Sequence, residues 1–357
     1  MNRAFRVAAA ACVAGAGLTT AAAAFDGYRQ LDATTIESKG ASWDYVRLDA
    51  GRQHLYIGHR KESLQVFDIA AKKVIRTIAK TEGSNSGTLI FDMDLGISNN
   101  ETGTLTPFKI STGEALSEPI AIGEEVDDSF YDPATKRLLA TVATKEGPHI
   151  AVFELPSLKP LGTIKTSSKR LDGATVDGKG NFYINARDLA KVIKVDIKDM
   201  KVTAEWDIDK CATASGMAMD PVSNRIFVGC RGKHPVLPVM AVIDADSGKT
   251  IFTHEIGLQN DAVVYDAESK RIFTANGMGA NIVIFEQADK DTYKPVESLG
   301  TRAFVRTLAM DPKSKRLYSV TAEGSADYGK KVLTAVSTFY PNTFFPNTFT
   351  ILTYGTK

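Results

Sequence analysis

Cysteine is nearly absent from these 357 residues: Cys12, Cys211 and Cys230 are the only three, and no Cys-x-x-Cys or Cys-x-x-Cys-His spacing occurs. That removes the usual zinc ribbons and covalent haem attachment. Histidine is scarce too, with five residues and no His-x-His pair, so no preset metal-ligand geometry is visible. A Gly-x-Ser-x-Gly elbow and a phosphate-binding glycine loop are both missing. No bound cofactor is expected. Neither sign of charge dominates, with 43 Lys and Arg against 42 Asp and Glu. A chain without basic excess lacks the counterion-release drive of general nucleic-acid coat proteins, so nucleic acid is not an expected partner.

Long apolar runs are also lacking, with one exception at the start. Residues 2–6 carry two arginines, Arg3 and Arg6, and no acid, Val7 to Leu18 form twelve apolar and small residues, and Ala22-Ala23-Ala24 precede Phe25. This three-zone order reads as a secretory signal peptide over residues 1–24. Its apolar run falls short of the roughly 20 residues that span a bilayer. Cys12 lies behind alanines, without a leucine-led lipobox. The expected product is a soluble monomer of residues 25–357, with no membrane span, in an oxidising compartment such as a bacterial periplasm.

What fills the rest is repetition. A phrase of apolar residue, Asp, turn, basic residue and apolar run recurs at Leu48-Asp49, Tyr131-Asp132, Val176-Asp177, Met219-Asp220, Tyr265-Asp266 and Met310-Asp311. Successive aspartates from Asp132 to Asp311 lie 45, 43, 46 and 45 residues apart. The gap from Asp49 to Asp132 is 83, near two periods, and the worn copy Leu89-Ile90-Phe91-Asp92 falls inside it. Each unit continues with an alternating stretch such as Leu64-Gln65-Val66-Phe67-Asp68, then in most units a further apolar stretch after a turn, as from Lys73 to Ile78 and from Ala115 to Ile120. Period-two patterning bounded by turn residues means short strands, four per unit and seven units. The expectation is an all-β, seven-bladed propeller of four-stranded antiparallel blades. The last unit supplies only three strands before the chain ends, so Tyr28 to Glu37 should pair with Phe349 to Tyr354 and close the ring. That unit also carries an insertion, residues 322–347, rich in aromatics through a near-duplicated Pro-Asn-Thr-Phe. Such a loop covers a ligand, docks a partner, or packs onto the propeller's own surface.

Several stretches together make the chain resemble the YVTN family of extracytoplasmic seven-bladed propellers. They include Trp43-Asp44-Tyr45, Ser98-Asn99-Asn100, Ser215-Gly216-Met217-Ala218-Met219-Asp220, Gly229-Cys230-Arg231 and Arg306-Thr307-Leu308-Ala309-Met310-Asp311-Pro312. The name-giving tetrapeptide is absent, with Phe182-Tyr183-Ile184-Asn185 nearest to it, and Ser86-Gly87 stands where His-Gly is expected. The resemblance implies the fold and an exported protein; it implies little chemistry, because the family's functions are diverse.

In an antiparallel hairpin the start of the first strand and the end of the second meet at one end of the blade, so those positions ring one mouth of the central channel. They supply Asp44, Asp127, Asp172, Asp261 and Arg306 from strand starts, and His59, Asn185, Asn276 and Glu323 from strand ends. Four carboxylates and an arginine at a mouth suit a cation, a cationic group or a polyhydroxylated ligand; equally, each Asp could simply cap its own loop. Two tryptophans exclude the tryptophan repeats of quinoprotein propellers. Cys211 and Cys230 flank one hairpin and should form a disulfide. With no recognisable catalytic set or metal site, the sequence points to a noncatalytic binding module for a small molecule or a periplasmic protein. The alternatives are a lactonase-like, metal-assisted hydrolase with Asp44, His59 and Glu323 as ligands, and, more weakly, a binder of single-stranded DNA.

Overall fold

Strand formation follows from the alternation. Runs such as Arg225–Cys230 and Val239–Asp244 are rich in β-branched and aromatic residues, too short for a stable helix, and bounded by Asp turns. The structure, a computed structural model, describes residues 26–327, 329 and 341–356. It is an all-β, seven-bladed propeller, with seven four-stranded antiparallel sheets and a small two-stranded ribbon. Among the described residues the only helix is one 3-10 turn, Phe91–Met93, which forms the loop of the second blade's first hairpin, where the worn repeat lies.

The repeated aspartates hold the hairpin turns, as the sequence suggested. Asp132 accepts the backbone N–H of Thr135 at 2.9 Å, Asp177 those of Lys179 and Asn181 at 2.8 and 3.0 Å, and Asp311 that of Lys313 at 2.9 Å. Second and third strands are buried on both faces, while outer strands such as Lys73–Thr77 alternate between exposed and half-buried. The core therefore lies between blades. Phe227, Met240 and Val242 of the fifth blade pack on Ile272, Val283 and Phe285 of the sixth.

Near the channel the blades come together so closely that only glycine fits. A Cβ on Gly58 would stand 2.0 Å from the Asn85 carbonyl oxygen of the next blade, and one on Gly173 would stand 2.2 Å from that of Ser215. The ring closes by strand exchange between the two ends of the chain. Arg29–Thr35 pairs with Thr350–Gly355, from Arg29 opposite Gly355 to Thr35 opposite Thr350, and completes the blade that also holds Leu317–Thr321 and Ala309–Met310.

Two expectations are adjusted. The outer strand of the second blade, expected from Ala115 to Ile120, is reduced to Ile120–Ala121 plus one bridge from Ala115 to Phe108. Pro107 in the adjoining strand explains the gap: its carbonyl faces the outer strand and accepts from Leu116 at 2.8 Å, but it has no N–H to return. The insertion, in its described part, forms a ribbon of Gly324–Ser325 with Thr343–Phe344. Phe344 packs 4.9 Å from Trp43, and Phe349 stacks on His59 at 4.2 Å, so these rings turn inward to the propeller. The leader and the Phe339-Tyr340 end of the duplication lie outside the described residues.

Candidate functional site at the channel mouth

The side chains at the mouth are placed by a repeated irregularity. In six blades the register between first and second strands shifts at the first strand's start, as between Trp43 and Val46, Val126 and Ser129, Leu171 and Ala174, and Asn260 and Ala262. A β-bulge frees residues from the ladder and re-aims their side chains. Within these four bulges lie Asp44 with Tyr45, Asp127 with Asp128, Asp172, and Asp261. Opposite them, the residue directly after the second strand is Arg60, Arg187 and Arg231 in the first, fourth and fifth blades. Each of these donates its backbone N–H across the loop, to Ser42, Arg170 and Thr213 at 2.9, 2.9 and 3.0 Å. The arginines are thus held in equivalent positions around the ring.

Together they build a charge ladder. Arg306 contacts both Asp44, at 3.2 Å, and Asp261, and it also donates to the Trp43 carbonyl at 2.5 Å. Asp44 pairs further with Arg60 at 2.5 Å, Asp261 with Arg231, and Asp172 with Arg187 at 2.7 Å. Asp261 also accepts from the Ser215 hydroxyl at 3.0 Å. Burial works to raise the Asp261 carboxyl, but Arg231, Arg306 and Arg187 outweigh it and hold the group well below the usual carboxylate range. At Asp44 burial wins over Arg306 and Arg60, and the carboxyl is pushed up.

Asp127 is the exception. It is half-buried at the wall, and among the described residues its carboxylate has neither an ion pair nor a hydrogen-bond donor. Burial pushes its carboxyl well above the usual range, and the charges of Asp44, Asp172, Asp128 and Glu125 add to the rise. Its neighbour Asp128 is, by contrast, satisfied by Arg47, by the Ser86 hydroxyl at 2.7 Å and by the Ser129 N–H at 2.9 Å. Tyr45 stands between these groups, 8% exposed, and its hydroxyl has no hydrogen-bond partner among the described residues. Burial and the surrounding Asp127, Asp172, Asp261 and Asp44 keep that hydroxyl protonated far into the alkaline range.

These residues line a mouth cavity of about 580 Å³, whose rim carries Glu125, Lys169 and Arg170. Below it, sharing Tyr45 and Asp261 as a common wall, is a channel cavity of about 300 Å³ bordered largely by apolar groups such as Leu48, Phe130, Met217 and Val263. The arrangement presents guanidinium and hydroxyl donors to the space above Tyr45.

Of the residues singled out in the sequence, Asp44, Asp127, Asp172, Asp261 and Arg306 come together here. The other four lie elsewhere. His59 is fully buried, its ring nitrogens 2.9 Å from Gln65 Oε1 and from the Gly40 carbonyl oxygen. Asn185 is buried and donates to the Ser215 carbonyl of the next blade at 2.7 Å. Asn276 bonds Thr274, Asn281 and Asn260 inside the sixth blade. Glu323 is exposed at the start of the insertion, outside the cavity lining. Sequence reasoning missed Tyr45, Arg60, Arg187, Lys169 and Arg170. The signal for two of them was the position after the second strand, already occupied by Arg231.

Cys211 and Cys230 form the expected disulfide, with Cα atoms 5.5 Å apart. It ties the loop ahead of the fifth blade to the strand end that precedes Arg231.

Solved structures share this fold at low identity. A chain of Kuenenia stuttgartiensis hydrazine synthase is 14% identical with a TM-score of 0.68, covering 85% of this chain and 99% of its own. A chain of the mitotic checkpoint complex is 13% identical, with a TM-score of 0.70 over 89% and 95%. The RRP9 WD40 repeats are 8% identical, with a TM-score of 0.72 over 92% and 100%. The likeness is to WD40-type propellers and is one of fold alone. No family model and no curated protein matches the chain in sequence.

Proposed function

We propose that this protein is an extracytoplasmic, noncatalytic binding module of YVTN type whose channel-mouth cavity holds a small ligand. One observation carries the reading: a cavity large enough for a small molecule has Tyr45 and Asp127 at its wall, both uncommitted to protein partners among the described residues. Both polar groups face the cavity, where a ligand can take them up. The leader sequence and the Cys211–Cys230 bridge support export to an oxidising compartment. Among the described residues no helix is long and apolar enough to cross a membrane.

The metal-assisted hydrolase reading gains no support from the side-chain arrangement. Asp44, Asp172 and Asp261 each face guanidinium groups, and no group of three or more His, Cys, Asp or Glu among the described residues is placed to hold a metal ion. The test is a thermal-shift screen of the purified mature chain against small metabolites, repeated with Tyr45→Phe and Asp127→Asn. Compounds that stabilise the parent should lose their effect in at least one variant. Hits that stabilise all three proteins equally would move the site elsewhere.

A further inference from the structure

The charges of the mouth define the ligand more narrowly, on the assumption that the proposed binding function holds. We infer that the cavity selects small organic anions, a carboxylate or phosphate monoester on a polar body, with the anionic group at Lys169 and Arg170 and the polar body on Tyr45 and Asp127. In the wall, Asp44, Asp172 and Asp261, together with Glu101 at 3.5 Å from Arg60, meet the four guanidinium groups of Arg60, Arg187, Arg231 and Arg306, so the wall is charge-balanced and the positive excess lies at the rim. At the rim Lys169 and Arg170 are exposed, their side chains without ion pairs among the described residues, against the single carboxylate of Glu125. Asp188 holds the loop that presents them by accepting the backbone N–H groups of both, at 3.1 and 3.3 Å.

Asp127 does not cancel this excess. No cation contacts it among the described residues, it is faced by Asp44, Asp172, Asp128 and Glu125, and burial and those charges push its carboxyl well above the usual range, toward the protonated form. A protonated carboxyl and the Tyr45 phenol are both O–H donors, so the wall offers donors to an oxygen-rich ligand. Tyr45 is the independent pointer to an occupant, being more than nine-tenths buried with its hydroxyl unpartnered at the cavity. A cationic ligand would meet Lys169 and Arg170 at the rim, with Glu125 the one rim carboxylate to receive it.

The test uses one sugar body at three charges. Glucuronate, glucose and glucosamine are titrated calorimetrically into the mature protein, with inorganic phosphate as a charge-only probe. Glucuronate should bind at least about tenfold more tightly than glucose, since one charge-assisted hydrogen bond contributes about 1.5 kcal/mol or more. Glucosamine should bind most weakly. The exposed-site double variant Lys169→Gln, Arg170→Gln, with its melt confirmed near the parent's, should lose about tenfold of the glucuronate affinity. Asp127→Asn, which cannot ionise, should tighten glucuronate at alkaline pH. If glucosamine binds best and Asp127→Asn abolishes it, the charge assignment falls while the mouth remains a ligand site. If none of the four probes binds, the anion assignment is overturned, and the binding function is then decided by its own metabolite screen.

Discussion

Replacing two aspartates of the same ring by asparagine should shift stability in opposite directions, and the signs can be worked from their surroundings. Asp261 is 4% exposed and touches Arg231 and Arg306, whose side chains are 8% and 13% exposed. Breaking a buried ion pair typically costs about 3–5 kcal/mol. Here Arg306 keeps Asp44 and the Trp43 carbonyl, and Arg231 keeps Ser215 and the Asn260 carbonyl, so Asp261→Asn should fall at the low end, about 3 kcal/mol. With an unfolding entropy of about 2.1 cal/mol/K per residue, a folded chain of about 330 residues loses roughly 4 °C in Tm. Because the Asp261 carboxyl is held below its unfolded value, its contribution is complete above about pH 4 and is lost as pH falls further. The gap between parent and variant should therefore narrow in acid. Asp127 is the reverse case. Its carboxyl is raised, mainly by burial, so the folded protein keeps a proton that the unfolded chain has released. Stability then declines as pH climbs from about 4 through the folded pKa. Asp127→Asn removes that decline, matching the parent in acid and exceeding it at neutral and alkaline pH. Thermal melts followed by circular dichroism across pH would decide both. An Asp261→Asn protein melting within about 1 °C of the parent at pH 7, or an Asp127→Asn protein less stable there, would refute this electrostatic scheme.

Three further outcomes are expected. Reducing the Cys211–Cys230 bridge, which closes a loop of 19 residues, should cost about 3 kcal/mol, and thiol titration of unreduced mature protein should find no free cysteine. Two reactive thiols would contradict the bridge. Deleting residues 349–357 removes the partner of both Arg29–Thr35 and Leu317–Thr321, so the cooperative melt should be lost or fall sharply; an unchanged melt would rule out closure by paired ends. Gly58→Ala drives a methyl group into the Asn85 carbonyl of the next blade and should destabilise by about 1–3 kcal/mol, measured by urea unfolding.

Much of the architecture was legible because repetition makes local signals mutually confirming. One Asp hairpin is weak evidence, but six near a common period fix the blade count, and the missing strand of the last blade then requires an N-terminal partner. The outer edge of the second blade was misjudged because apolar alternation from Ala115 to Ile120 carries no information about the missing N–H of Pro107 on its neighbour. His59 and Asn276 stand at strand ends, as deduced, yet point into the blades. A bulge re-aims first-strand starts toward the channel, whereas second-strand ends stay within the ladder up to their last residue.

That one-residue difference also explains why the site looked acidic from the sequence and proves to be charge-paired. Repeat periodicity locates equivalent positions, but pairing depends on which equivalent positions face each other across the channel. Arg306 reaches Asp44 over 262 residues of chain and Asp261 over 45, distances that no local motif encodes. Moving one residue past each second strand recovers most of the logic. That position is Arg60, Arg187 and Arg231 in the first, fourth and fifth blades, but Glu101 in the second and Thr144 in the third. Glu101 turns toward Arg60 at 3.5 Å, and Thr144 carries no charge. Asp127, in the third blade, is thus left without a guanidinium by the residues its own and the preceding blade place at the mouth. The gap in the arginine series is what leaves Asp127 without a cation among the described residues, its carboxyl pushed up beside Tyr45, in a wall whose other charges are paired.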